Sequence, residues 1–189
     1  MAYTACAANL GANIAPDCAA VQKSEYVGEG VMIDMVAVNP SITADSSNPR
    51  VLTNIVVESG DKVAVVDNLI RDPFSGASRT MNVESGMPTF DNSIPIRIPN
   101  ISAAVAKEVI EPLAKSHFLL ILPTTDKKFF VFGMYGKLQA SEVSHTLADN
   151  GGAALATMTS NEPYFCCELK STDYAATKAI YDALKAHSF

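Results

Sequence analysis

The sequence is poor in the groups that carry out chemistry. Its 189 residues include three histidines and four cysteines. His117, His145 and His187 stand far apart, and none has a carboxylate or a cysteine at metal-ligand spacing. Cys6 and Cys18 lie near the start, while Cys166 and Cys167 are adjacent, a placement that seldom makes a relaxed mutual bridge; no CxxC spacing occurs. This usage reads as free thiols in a reducing compartment, with a bridge or metal pair between Cys6 and Cys18 as the alternative. Ser144-His145 has no GxSxG elbow beside it, and Ser75-Gly76-Ala77-Ser78 lacks the glycine spacing and Lys-Ser/Thr ending of a phosphate loop. Glu25, Glu29, Asp45, Asp72, Glu142 and Glu162 are scattered over loops and strand ends, without the clustering of an acid/base pair. The expectation is a protein that is not an enzyme, with no catalytic, cofactor-binding or metal residues to nominate.

Charge is also scarce. Charged residues make up 18% of the chain against 48% apolar residues, so burial in an assembly is one explanation and the abundance of alanine another. The net charge of -6 supplies no basic footprint for tight phosphate contact. It suits a surface that DNA passes without sticking. Met1 to Cys6 has no basic segment leading into an apolar core, which predicts no secretory signal, and no run approaches the ~18 apolar residues of a membrane helix. The length fits a single domain, 1-189, with a core that needs no disulfide or metal.

What is present centres on His117 to Leu138. The continuous apolar run His117-Phe118-Leu119-Leu120-Ile121-Leu122, the turn signals Pro123 to Lys128 and the run Phe129-Phe130-Val131-Phe132 predict a buried β-hairpin, bent near Gly133 and Gly136. Before it, residues 1-20 read as an N-terminal arm. Tyr26 to Val38 reads as a strand with one apolar and one mixed face, and Ser41 to Arg50 as a loop. Val51 to Glu58 and Lys62 to Val66 read as a second hairpin closed by Ser59-Gly60-Asp61. Residues 68-92, with Pro73, Gly76, Gly86 and Pro88, read as a long interaction loop or an extended hairpin, whose excision from Pro73 to Pro88 should leave a folded subunit unable to assemble. Ile94, Ile96 and Ile98 alternate with Pro95, Arg97 and Pro99, as in an edge strand. A helix capped by Asn100 or Ser102 follows, with Ile101, Val105, Val109 and Leu113 on one side and a break near Ile110 to Pro112. Gln139 to Asn150 is polar, Gly151-Gly152 turns, and strands are expected around Leu155 to Ser160 and Tyr164 to Leu169. A C-terminal helix spans 172-187, with Tyr174, Thr177, Tyr181 and Leu184 on one face.

The order of these segments resembles a family. IPIRI, SAAVAKEVIEPLAKS, HFLLILPTTDKKFFVFGMYGKLQASE and GGAALATMTSNEPYF follow one another, behind a small-residue start containing Cys6 and Cys18. This pattern is similar to ring or tail-tube-like structural proteins of tailed bacteriophages of Bacteroidetes, including crAss-like phages. The likeness covers about the C-terminal half and the first twenty residues. Met134-Tyr135 and Lys137 replace an Asn-Gly-Leu-like element, and the helix from Asp173 to His187 looks like an addition. The resemblance implies an α+β fold, mainly an antiparallel β-sandwich or partly closed barrel with a flanking helix and a C-terminal helix. It also implies a virion protein, assembled in the host cytoplasm, that forms a homo-oligomeric ring in the tail or head-to-tail connector. Such a ring contacts other virion tail or connector proteins and lets DNA pass without specific binding, with no membrane involved. Asp34, Glu58 and Asp61 are candidate contributors to a channel lining. The alternatives are a capsid auxiliary, decoration or ejected cargo protein, and a small hydrolase or thiol enzyme using Cys166, Cys167 or His145.

Overall fold

A computed structural model describes residues 25–66, 74, 76–84, 87–99, 101–145 and 153–189. The arm 1-20, and Cys6 and Cys18 with it, lies outside the described residues, as does Gly151-Gly152. The fold is mainly β: a curled, half-barrel sheet, a second sheet, few helices and a C-terminal helix. The first sheet has seven strands: β1 (Gly30–Asp34), β2 (Ser41–Ala44), β3 (Val51–Val56), β4 (Ala64–Val66), β7 (Phe118–Pro123), β8 (Phe129–Phe132) and β11 (Cys167–Leu169), in the order β2-β3-β11-β8-β7-β1-β4. The second has four: β5 (Ser78–Glu84), β6 (Met87–Ile98), β9 (Gln139–His145) and β10 (Ala154–Glu162), in the order β5-β6-β10-β9. All named pairings are antiparallel except β11 with β3.

The central hairpin explains why its apolar runs are continuous. β7 and β8 pair from Leu120↔Phe132 to Pro123↔Phe129, and successive side chains point to opposite faces. Leu119, Ile121, Phe129 and Val131 join Val31, Ile33, Leu52, Ile55, Cys167 and Leu169 around Tyr181 and Leu184 of α3 (Tyr174–Lys185). Phe118, Leu120, Leu122 and Phe132 face the other way, onto Ile94, Ile96 and Ile98 of β6 and Ala154, Ala156 and Met158 of β10. The seven-stranded sheet is thus covered on both faces, by a helix and by a second sheet, as a run without alternation requires. Because α3 touches both β1 and β3, near opposite ends of the strand order, the sheet wraps around the helix. Asp173 caps α3 by accepting the Ala176 N–H at 2.8 Å, and Lys185 in the last turn pairs with Glu29.

Several expectations are corrected. Val51–Val56 and Ala64–Val66 are strands and Gly60 turns between them at φ +104°, but they do not pair with each other. β3 is held by β2 and β11, β4 by β1, and the intervening segment crosses between distant positions of the sheet. Ser41–Ala44, read as loop, is an edge strand whose side chains stay mostly exposed, so no apolar alternation marks it. β1 is buried on both faces rather than one. The Ile94 segment is not an edge: β6 lies between β5 and β10. Its proline is tolerated because β5 begins at Ser78, opposite Ser93, leaving Pro95 past the end of that ladder. Within 68–92, Ser78–Glu84 and Met87 onward are strands, the extended-hairpin form of that stretch. The polar segment after Leu138 opens with strand β9, and β11 is shorter than the Tyr164 to Leu169 expectation.

The flanking helix is capped by Ser102, whose hydroxyl accepts the Val105 N–H at 3.2 Å. It is interrupted as Pro112 demands. α1 (Ala103–Val105) widens into a π-turn (Ala106–Ile110) before α2 (Glu111–Lys115), in which the proline occupies the first turn. The extra residue shifts the helical phase, so Leu113 is buried while Val109 is 37% exposed.

Candidate interaction surface

The hairpin of β5 and β6 carries residues from the core out to solvent. Alternation along β6 continues the inward face of Ile94 back to Asn92 and Phe90. In register across the sheet lie Arg79, Asn92 and Ser160, then Met81, Phe90 and Glu162. The first row is inside: Asn92 and Ser160 are buried, and the Asn92 amide donates to Ser160 Oγ at 3.1 Å. Arg79 lays its guanidinium over Phe132 (4.2 Å to the centroid) and Phe130 (5.0 Å). Its Nε and Nη2, like Asn92 Oδ1, are buried without a hydrogen-bond partner among the described residues.

One row further the hairpin reaches solvent. Met81 is 60% and Val83 58% exposed, and Phe90 meets Phe165, itself 53% exposed, edge-on at 5.5 Å. Phe165 sits in the connection from β10 to β11 beside Tyr164, which packs edge-on against Tyr135 at 5.3 Å. The Tyr135 hydroxyl donates to the Pro49 carbonyl at 2.5 Å, and Arg50 stands 5.0 Å over the Tyr164 ring. Methionine, aromatic rings and arginine exposed together are the composition of interface centres rather than of ordinary solvated surface.

Glu162 holds this end in place. Its carboxylate is buried and accepts backbone N–H groups from Gly133 (2.7 Å), Tyr135 (3.1 Å) and Gly136 (3.2 Å). Only glycine fits the bend. A Cβ on Gly133, at φ +83°, would lie 2.1 Å from the Phe118 carbonyl oxygen, and one on Gly136 would lie 1.9 Å from that of Asn161. The sequence marks both glycines, whereas Glu162 reads there as one of the scattered, solvated acids; it is instead 3% exposed, because the bend folds its N–H groups around the carboxylate.

The residues nominated from sequence fall elsewhere. Asp34 Oδ1 is committed to its own turn, accepting from Val36 N–H (2.9 Å), Ala37 N–H (3.0 Å) and Ser116 Oγ (2.5 Å). Glu58 and Asp61 flank the turn before β4, whose register places it beside β1, so Asp61 and Asp34 lie toward the same end of that sheet. His145 is exposed at the end of β9, His117 is half-buried, and His187 Nδ1 lies 3.3 Å from the Asp61 carbonyl. Cys167 is buried in the core; desolvation, with Glu162 adding to it, pushes its thiol up to about 12, so it stays protonated and poorly nucleophilic at neutral pH. Cys166 is half-buried, with its Sγ 3.7 Å from the Cys167 carbonyl. Among the described residues no group of three His, Cys, Asp or Glu side chains could hold a metal, and no helix is long and apolar enough to cross a membrane.

The outer face of the four-stranded sheet is a shallow polar depression of about 480 Å³. Its acid is internally satisfied: Asn161 Nδ2 donates to Asp91 Oδ1 at 2.6 Å and to Thr89 Oγ1 at 3.1 Å. No protein-family model matches this chain, and neither does any curated protein or solved structure.

Proposed function

We propose that this protein is a non-enzymatic structural subunit that assembles through its aromatic end, as a ring-forming component of a phage tail or head-to-tail connector. The observation that carries the reading is the exposure of Met81 and Val83 on the paired strands β5 and β6, with exposed Phe165 and Tyr135 in the connections at the same end. Apolar surface of this kind is stabilised by covering it, at about 25 cal/mol per Å² removed from water. A framework of paired strands lets the surface be covered with little ordering cost. The virion setting follows from the family resemblance of the sequence, and the net charge of -6 agrees with a wall past which DNA slides. The subunit acts by geometry: it buries surface against its neighbours and holds a passage open.

The test is light scattering and negative-stain imaging of the purified protein over a range of concentrations. Closed rings or stacks of rings are expected. A monomer at the highest attainable concentration, in low and high salt alike, overturns the reading. Substitutions on the hairpin are cleaner than excising Pro73 to Pro88, because that excision removes β5 and takes Arg79 out of the core.

A further inference from the structure

A sheet edge presents outward N–H and C=O groups that can pair with another strand, and natural edges are guarded by shortness, bulges, proline or lysine. Among the described residues four strands end the two sheets: β2, β4, β5 and β9. Three are guarded. β2 has four residues and its ladder slips between Thr43 and Ala44; β4 has three, and the adjoining Val63 is bridged to Ser188. β9 is bulged where it passes Thr157 and Met158. β5 is open. It keeps unbroken register with β6 from Ser78↔Ser93 to Glu84↔Met87 and contains neither proline nor lysine. Its one cation, Arg79, lies over Phe132 and Phe130 instead of along the edge.

Two prolines of β6 fix which groups β5 turns outward. Pro95 stands opposite Thr157 and Pro88 opposite Val83; neither can donate, so each belongs to a non-hydrogen-bonded pair of its ladder. Alternation from either proline gives the same phase. Val83 and Met81 turn their N–H and C=O groups away from β6, out of the sheet, and among the described residues nothing is bonded to them there. The two exposed apolar side chains of β5 thus belong to the residues that carry its free backbone groups.

An open edge is completed by another strand of matching length and regularity. Among this chain's edges only β5 itself meets that demand, since β2 and β4 are short and β9 is bulged. The match extends to the side chains. With two β5 strands antiparallel about a two-fold axis at Asn82, Met81 of each copy stands opposite Val83 of the other, Asn82 opposite Asn82, and Thr80 opposite Glu84. Each exposed apolar residue then meets an apolar one, and the Met81–Val83 pairs are hydrogen-bonded pairs that use the free groups of both strands. We infer that two copies of this chain join edge to edge through β5 in this register, making one continuous sheet of their four-stranded sheets. The contact is isologous and is complete in a pair. It goes beyond the ring reading, because it stands whether such pairs are built into rings or remain dimers.

Cysteine cross-linking reads the register. In a Cys6→Ser/Cys18→Ser/Cys166→Ser background, Asn82→Cys puts two thiols across a non-hydrogen-bonded pair, at about 4.5 Å between Cα atoms and within disulfide reach. Thr80→Cys leaves its two thiols four residues out of line, at roughly 14 Å. With copper–phenanthroline as oxidant, non-reducing gels should show a two-chain band for Asn82→Cys and none for Thr80→Cys. Val83→Pro removes an outward donor and no bond to β6, so it should stay folded by far-UV circular dichroism and thermal melting. It should lower the mass seen by light scattering at least by half, and Met81→Lys takes its place if the proline unfolds the chain. A two-chain band from Thr80→Cys alone, equal bands from both, or a band from neither overturns the inference. So does full assembly of a folded Val83→Pro or Met81→Lys, although the ring reading then stands. An unmodified chain that is monomeric at every concentration overturns both.

Discussion

Glu162 is the residue whose loss should be felt most sharply. It ends β10 facing inward, 3% exposed, and its two oxygens receive the N–H groups of Gly133, Tyr135 and Gly136. Those donors cannot readily turn elsewhere, because close packing of Gly133 on Phe118 and of Gly136 on Asn161 fixes the bend. Glu162→Ala leaves all three without an acceptor. At about 1–3 kcal/mol for each stranded donor, reduced by partial relaxation, the expected loss is about 3–5 kcal/mol. Glu162→Gln keeps one carbonyl oxygen but turns an amide N–H toward the remaining donor, and should cost about 1–3 kcal/mol. For a domain of this size, each kcal/mol lowers Tm by roughly 2–4 °C, so the alanine variant should melt roughly 6–20 °C early. Urea denaturation followed by far-UV circular dichroism gives the free energies. Tyrosine emission, read against a Tyr135→Phe control because the chain has six tyrosines and no tryptophan, follows release of Tyr135 from Pro49. An alanine variant within about 1 kcal/mol of the parent would refute the reasoning, as would equal losses for alanine and glutamine.

Other perturbations follow from the same geometry. Gly136→Ala and Gly133→Ala should each destabilise by more than about 2 kcal/mol, since the added Cβ meets backbone oxygen rather than a movable side chain; chemical denaturation measures this, and a neutral result would mean the bend is not fixed as described. Arg79→Met should be neutral or stabilising by about 1–2 kcal/mol, because it removes buried donors without partners and keeps the stem packed on Phe130 and Phe132; a loss above about 2 kcal/mol would contradict that balance. In a Cys6→Ser/Cys18→Ser/Cys166→Ser background, a thiol reagent should modify Cys167 only on unfolding, and fast native-state labelling would refute its burial. The same thiol sets a pH dependence. Burial raises its folded pKa to about 12 from an ordinary thiol value of about 9.0, so its contribution is complete below about pH 9. It is lost at roughly 1.4 kcal/mol per pH unit as pH rises toward the folded value. Cys167→Ala should flatten that part of the alkaline stability curve, and an unchanged slope would exclude the thiol as its source.

Much of the fold was legible because local patterns carry it. The runs from Phe118 to Leu122 and from Phe129 to Phe132 announce strands covered on both faces, and Pro112 announces a break in its helix. Ser171 or Thr172 with Asp173, and the spacing of Tyr174, Thr177, Tyr181 and Leu184, announce α3 and the face it buries, although the cap is Asp173 and Tyr174 stays 43% exposed. Strand partnership was not legible. The turn at Gly60 suggested that β3 and β4 pair, yet they are assigned to other neighbours, since alternation says which face of a strand is buried and nothing about which strand lies beside it. The edge strand β2 was hidden because its exposed side chains leave no apolar signal.

The candidate surface shows the same division. Met81, Val83, Phe90, Tyr135, Tyr164 and Phe165 are plain in the sequence, but each alone reads as a core residue. That they share an exposed end, with Arg50 beside Tyr164, depends on β10 pairing with β6 as far as Phe90 and on Glu162 pinning the bend at Gly133 to Gly136. The sequence by itself determined the scarcity of catalytic and metal-ligating groups, the acidic balance, the two-faced central hairpin and the last helix, because composition and short-range periodicity act through neighbouring residues. Only the tertiary structure decided the order of strands, the burial of Glu162 and Cys167, and which apolar residues were left uncovered, because these depend on pairings between residues distant in the chain.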